Sequence, residues 1–272
     1  MSRAVVAAIL VVSVAAYVVG WWRLARRAAP LPPWRPVAAM TALVAMGTAL
    51  VSPLDGLAHE RFSAHMVQHL LLLVVAAPLA LAANPFPVLV WALPPRVRVA
   101  LRSVFGRRGF GRRWLGRLTD MRVAWALFAM TLWLWHLPAL YDRALATEPV
   151  HALEHAALFA AAILYWWPLL APAPRVRSPA HPGAAVAYVV LAGFQSAALG
   201  LALMLWPTAL YASYAGPDGA VLEDQRWGGV VMWTVTGLVD MAVVMALVWR
   251  FLHASERPRT APWTERTGSV PS

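Results

Sequence analysis

HMVQHLLLLVVAAPLALAA, residues 65–83, starts with two histidines four positions apart and continues as almost unbroken hydrocarbon. Its length decides the fold class. About 20 mostly apolar residues, at about 1.5 Å rise each, cross the hydrocarbon core of a bilayer as one helix. The apolar part of this stretch predicts a span over residues 64–82. Working outward, the same pattern predicts spans over 4–22, 37–52, 123–141, 152–171, 184–206 and 228–251. The chain therefore reads as an all-α integral membrane protein with seven transmembrane helices. PFPVLVWALPP (85–95) is apolar but too short to cross, and proline at both ends fits an interfacial or re-entrant piece. Residues 4–22 end in GWWRLARR rather than a clean small-residue cleavage site, so they read as a retained helix and not a signal peptide.

Composition agrees. Of 272 residues, 61% are hydrophobic and 13% charged, whereas a soluble domain carries roughly 25% charged residues. There is no cysteine, which excludes disulfides and thiolate metal sites. The net charge is +11 and every basic side chain is arginine. In a soluble protein that balance would point to nucleic acid; in a membrane protein it reports orientation. Nineteen of the 23 arginines fall in 23–36, 83–122, 172–183 and 250–272. Arg3, Arg61, Arg143 and Arg226 lie on the other side. The arginine-rich side is expected to be cytoplasmic, which places the N-terminus outside and the C-terminus inside. Residues 1–252 then form the membrane domain, with a basic cytoplasmic loop at about 96–122 whose partner is anionic lipid rather than nucleic acid. Residues 253–272 read as a disordered tail. Tyr141, Trp206, Tyr211 and Trp227 fit an outer aromatic belt, and Trp21, Trp22, Trp166, Trp167 and Trp249 an inner one.

On this topology six of the eight histidines gather on the outer face. These are His59 in a loop, His65 and His69 opening the third span, His136 near the end of the fourth, and His151 and His155 opening the fifth. Residues i and i+4 are neighbours on a helix face, so HMVQH (65–69) and HALEH (151–155) each offer two imidazoles to one metal ion. Gln68 and Glu154 are suited to orienting those rings by hydrogen bonds or to serving as auxiliary ligands. Imidazole suits copper, zinc, iron and nickel, and thioether favours Cu(I). Met66 and Met232 are the candidate sulfurs, although most methionines in spans are packing. In LEDQRWGG (222–229), Asp224 and Gln225 could cap the seventh helix or face the histidines. Pro53, Asp55 and Gly56 read as a turn. Asp240 falls near mid-membrane, either as a functional group or hydrogen-bonded to Gln195 or another polar group of the sixth helix.

Four segments in order, SPLDGLAH…FSAHMVQHLLLL, WLWHLPALYDRAL, VHALEHAALFAAAILYWWPL and LEDQRWGGVVMW, resemble the CtaG-type cytochrome c oxidase assembly family. These are seven-span bacterial membrane proteins associated with c-tailed haem–copper oxidases, distinct from the single-span copper chaperone of the same name. The resemblance covers roughly 35–252. It implies a plasma-membrane helper in maturing the copper centres of an oxidase. It points to His65, Gln68, His69, His136, His151, Glu154, His155, Asp224 and Gln225. The leading expectation is a protein without turnover that handles copper at the outer face and delivers it to an oxidase subunit, with Cu(I) and Cu(II) both open. The alternative is a metal- or haem-dependent membrane oxidoreductase using the same histidine pairs. A third option is a scaffold whose histidines sense pH.

Overall fold

The computed structural model describes residues 3–27, 32–106, 108–178 and 180–255. All regular structure among them is helical. Five helices are long and apolar enough to cross a membrane, and up to seven if each of two bent pairs counts as one span. The multi-pass, all-α architecture thus agrees with the hydropathy reading. The proposed tail lies outside the described residues from 256 onward.

Helix α1 (Arg3–Ala25) and α2 (Trp34–Leu50) are followed by α3 (Pro53–Glu60), which bends 44° from α2. A turn was expected over Pro53–Gly56. Instead Ser52 Oγ accepts from the Leu54 amide at 3.1 Å and Pro53 takes the first helical position, a helix start.

The deciding stretch is one 21-residue helical segment, Phe62–Ala82. It consists of α4 (Phe62–Leu70), a π-helical stretch at Leu71–Ala76 and α5 (Ala77–Ala82). The widening has a cause in Pro78, which has no N–H and whose ring crowds the preceding turn. With i→i+5 pairing, Leu73 would accept from residue 78, which is the proline. The Trp166 indole N–H fills that gap at 2.9 Å. Trp166 is therefore buried and structural rather than a belt residue; Tyr141 and Tyr211 are buried as well.

Helix α6 (Pro85–Ala92) starts from left-handed Asn84, whose side chain accepts from the Ala173 amide at 2.7 Å. The basic segment is not a plain loop. It forms α7 (Pro95–Phe105) and α8 (Phe110–Leu118), neither of which buries a residue. Then come α9 (Met121–Trp135) and α10 (Pro138–Ala146), at 72° to each other. The break falls where Pro138 pushes Leu137 into extended backbone. Helices α11 (Glu148–Leu170), α12 (Pro182–Leu205) and α13 (Asp218–Ser255) complete the chain. Helix α13 has 38 residues, about 57 Å long. It starts ten residues before the expected 228, because the polar residues ahead of the apolar run are also helical.

The core lies among α4, α5, α9, α11, α12 and α13, and a smaller cluster joins α1, α2 and α6. Large apolar side chains such as Phe194 and Met130 point outward, as lipid-facing side chains do in a span. Helices approach closely at small residues. A Cβ on Gly20 would lie 2.0 Å from the Val88 carbonyl oxygen, so α1 and α6 touch backbone to backbone.

Candidate metal centre

Three helix ends meet at one end of the bundle: the start of α4, the end of α9 and the start of α11. They carry His65 and His69, His136, and His151 with Glu154 and His155, all buried. His65 and Glu154 have no exposed surface. The i,i+4 spacing puts each histidine pair on one helix face, with ring centroids 4.4 Å apart for His65 and His69 and 4.3 Å for His151 and His155. The pairs face each other across α4 and α11. His65 lies 5.2 Å from His151 and 5.7 Å from His155, and His69 lies 5.3 Å from His155.

The donor atoms converge further than the rings. His65 Nε2 is 2.9 Å from His69 Nε2. Glu154 reaches His69 Nε2 at 3.6 Å and His65 Nε2 at 3.8 Å, too far for hydrogen bonds. One ligand atom from each of His65, His151, Glu154 and His155 lies within 4.8 Å of the others. Donors held at about 2.0–2.2 Å by one ion lie at most about 4.4 Å apart; these distances match that reach or exceed it slightly.

Both Glu154 oxygens, and Nε2 of His136, His151 and His155, are buried without a hydrogen-bond partner among the described residues. Native interiors rarely leave such groups unpaired, because each costs about 1–3 kcal/mol and a lone carboxylate more. A metal cation would engage these unpartnered nitrogens and oxygens together. The residues therefore fit a metal bound through nitrogen and oxygen.

A hydrogen-bond chain sets the tautomer of His65. The Tyr214 hydroxyl donates to the Ala58 carbonyl at 3.3 Å. Tyr141 must then donate to Tyr214, 2.6 Å away, since each hydroxyl has one proton. His65 Nδ1–H donates to Tyr141 at 3.0 Å, so its Nε2 lone pair accepts from His69 Nε2–H at 2.9 Å. This is how outer partners orient metal-binding imidazoles. Tyr141 was read as a belt residue and Tyr214 was not singled out. Neither spacing nor hydropathy marks them, because α4, α10 and the 206–217 loop are brought together only in the fold. Tyr141→Phe keeps the ring and removes the link. It is expected to weaken metal binding about tenfold, measured by competition with a chelator of known affinity, and Tyr214→Phe less.

His136 sits at the rim. Its Nδ1 donates to the Leu132 carbonyl at 2.7 Å, its carbonyl accepts from Tyr211, and its ring is 6.1 Å from His69. His59 is exposed, 4.9 Å from the His151 ring. Gln68 clamps α4 to α2 and α3, donating to the Ala49 carbonyl at 2.7 Å and to Asp55 at 3.2 Å.

Other expected participants lie elsewhere. Asp224 and Gln225 are inside α13 and cap nothing there. Asp224 accepts from the Ser63 hydroxyl and amide, and so caps α4 across the tertiary contact. Gln225 accepts from the Leu210 amide at 2.7 Å and donates to the Leu203 carbonyl at 3.1 Å, pinning the turn between α12 and α13. Met66 is buried against Gly228 of α13, and Met232 belongs to the core. Gln195 accepts from the Trp133 indole at 2.9 Å and donates to Ser196. Asp240 packs over Gly193 of α12, where a Cβ would meet its Oδ2 at 2.5 Å.

No solved structure matches this chain. Two curated relatives are the uncharacterized protein Mb0105 of Mycobacterium bovis and the uncharacterized protein MT0111 of Mycobacterium tuberculosis. Each is 24% identical over 262 residues, covering 89% of this chain. The chain spans 37% of the length of these relatives. Residues 15–254 match the family described as cytochrome c oxidase caa3 assembly factor, CtaG. The four motifs that suggested this family fall inside the matched region, and the chain belongs to the CtaG family of caa3-type cytochrome c oxidase assembly factors.

Proposed function

We propose that this protein is a seven-span assembly factor that holds copper as cargo on its way to a haem–copper oxidase subunit. The buried group of His65, His69, His151, Glu154 and His155 carries the reading, because both Glu154 oxygens and Nε2 of His151 and His155 lack a hydrogen-bond partner among the described residues, and one ligand atom from each of His65, His151, Glu154 and His155 lies within 4.8 Å of the others. Copper is favoured over other imidazole-binding metals by the family's tie to cytochrome c oxidase. Nitrogen and oxygen donors without thiolate leave the ion exchangeable, as a carrier requires. In this reading the two bent pairs each count as one span, the membrane domain covers 1–252 and the arginine-rich end is cytoplasmic. The histidine end then opens to the outer compartment of a bacterial plasma membrane.

The chain's own residues bind, orient and shield the ion. The two pairs and Glu154 hold it, Tyr141 fixes His65, and the dry walls exclude water. The test is metal content and absorbance of the detergent-purified protein after copper loading. Near-stoichiometric copper without a Soret band supports the proposal. Bound haem or iron, or no copper at all, overturns it.

A further inference from the structure

Resting on the metal-centre reading, one further feature concerns how an ion gets in and out. A cavity of 620 Å³ lies between α1, α3 and α11, against the outer side of the histidine group. His59, His151 and His155 all line it. Its polar residues cluster at the helix ends, with Arg3 opening α1, Asp55 and His59 in α3, and Glu148 opening α11. Deeper walls, such as Leu10 and Phe159, are apolar. The cavity thus joins the watery end of the bundle to the buried donors.

The imidazoles form a graded series along it. His59 is exposed, His151 and His155 are 7% exposed, and His65 is fully buried. Successive rings are 4.9 Å (His59 to His151), 4.3 Å (His151 to His155) and 5.7 Å (His155 to His65) apart. A bare cation in a low-dielectric passage is prohibitive, so an ion moves only if the next donor is within reach before the last one leaves. His59 meets that condition. Its Nδ1–H donates to the Asp55 carbonyl at 2.8 Å, leaving Nε2 as the free donor. The Asp55 carboxylate stands at the mouth, paired with Arg3 at 2.8 Å and steadied by Gln68.

We infer that the cavity between α1, α3 and α11 is the passage by which the metal ion loads and leaves, with His59 as its first protein ligand, handing the ion to His151 and His155. His59 belongs to the path and not to the final set, so its loss slows loading and removal alike and leaves occupancy unchanged.

The test is stopped-flow exchange of copper with a water-soluble chelator, in both directions, on the 272-residue chain in detergent. The variants are His59→Ala, Ala152→Phe, which fills the cavity, and His181→Ala as a control at the far end of the helices. His59→Ala and Ala152→Phe are expected to hold the parent's copper per chain but exchange it about tenfold more slowly. His181→Ala should exchange at the parental rate. Parental rates in both cavity variants, with copper retained, overturn the passage and leave the centre standing. A parent that binds no copper overturns the centre and the passage with it. Should Ala152→Phe fail to fold, His59→Ala decides alone.

Discussion

Copper binding will be lost in His65→Ala/His69→Ala protein and equally in His151→Ala/His155→Ala protein, although the two pairs sit on different helices. Each pair supplies half of the nitrogen donors around Glu154, and His65 lies 5.2 Å from His151, ring to ring. Outer hydrogen-bond partners alone are worth about 10–100-fold in metal affinity. Removing two direct donors should therefore cost more than about 100-fold and leave little copper after gel filtration. The measurement is copper per chain by elemental analysis, with circular dichroism to confirm the helix content. Loss in both variants establishes a single shared site. Loss in one alone would mean two separate sites. Copper unchanged in both would remove these histidines from the centre. Glu154→Gln is a useful third arm: it keeps the shape and removes the charge that an ion would balance.

The second large effect concerns stability. Gly229→Val will strongly destabilise the helix pair α12 and α13, whereas Gly237→Val in the same helix will not. A Cβ at Gly229 would lie 2.6 Å from the Gly200 carbonyl oxygen and 2.8 Å from the Met204 amide nitrogen. These are backbone atoms of α12 and cannot rotate aside. Gly200 faces the same contact, its own Cβ meeting the Gly229 carbonyl oxygen at 3.0 Å. Small residues let helices in a membrane approach closely enough for van der Waals packing to hold them, since water supplies no hydrophobic force there. Valine would push the helices apart at a cost of about 1–3 kcal/mol or more. At Gly237 nothing lies within 4 Å of the added carbon. Thermal unfolding in detergent should show a lowered midpoint for Gly229→Val and little change for Gly237→Val. Similar midpoints for the two would mean that the close contact is not maintained.

Much of this protein follows from short-range pattern. Hydropathy is a local property, so residues such as 64–82 and 184–206 identify helices to within a few positions of Phe62–Ala82 and Pro182–Leu205. The i,i+4 spacing within HMVQH and HALEH guarantees that each pair shares a helix face. Alternation of spans brings the histidine-bearing ends to one end of the bundle. Family membership is carried by motifs that stand in the chain in order.

What only the tertiary structure decided is everything that depends on which faces meet. Asp224 reads as a cap for its own helix and caps α4 instead, because the long α13 places it beside the Ser63 amide. Met66 adjoins His65 in sequence, yet one residue turns the helix by about 100°, and its side chain packs against Gly228 of α13, with Cγ beside it. Tyr141 and Tyr214, far apart in the chain, meet to hold His65. The 2.9 Å contact between Nε2 of His65 and Nε2 of His69, beside a carboxylate without a hydrogen-bond partner, is likewise invisible in spacing. Periodicity specifies one helix at a time. The metal centre arises where three helix ends converge, and that convergence is set by packing between residues distant in the chain.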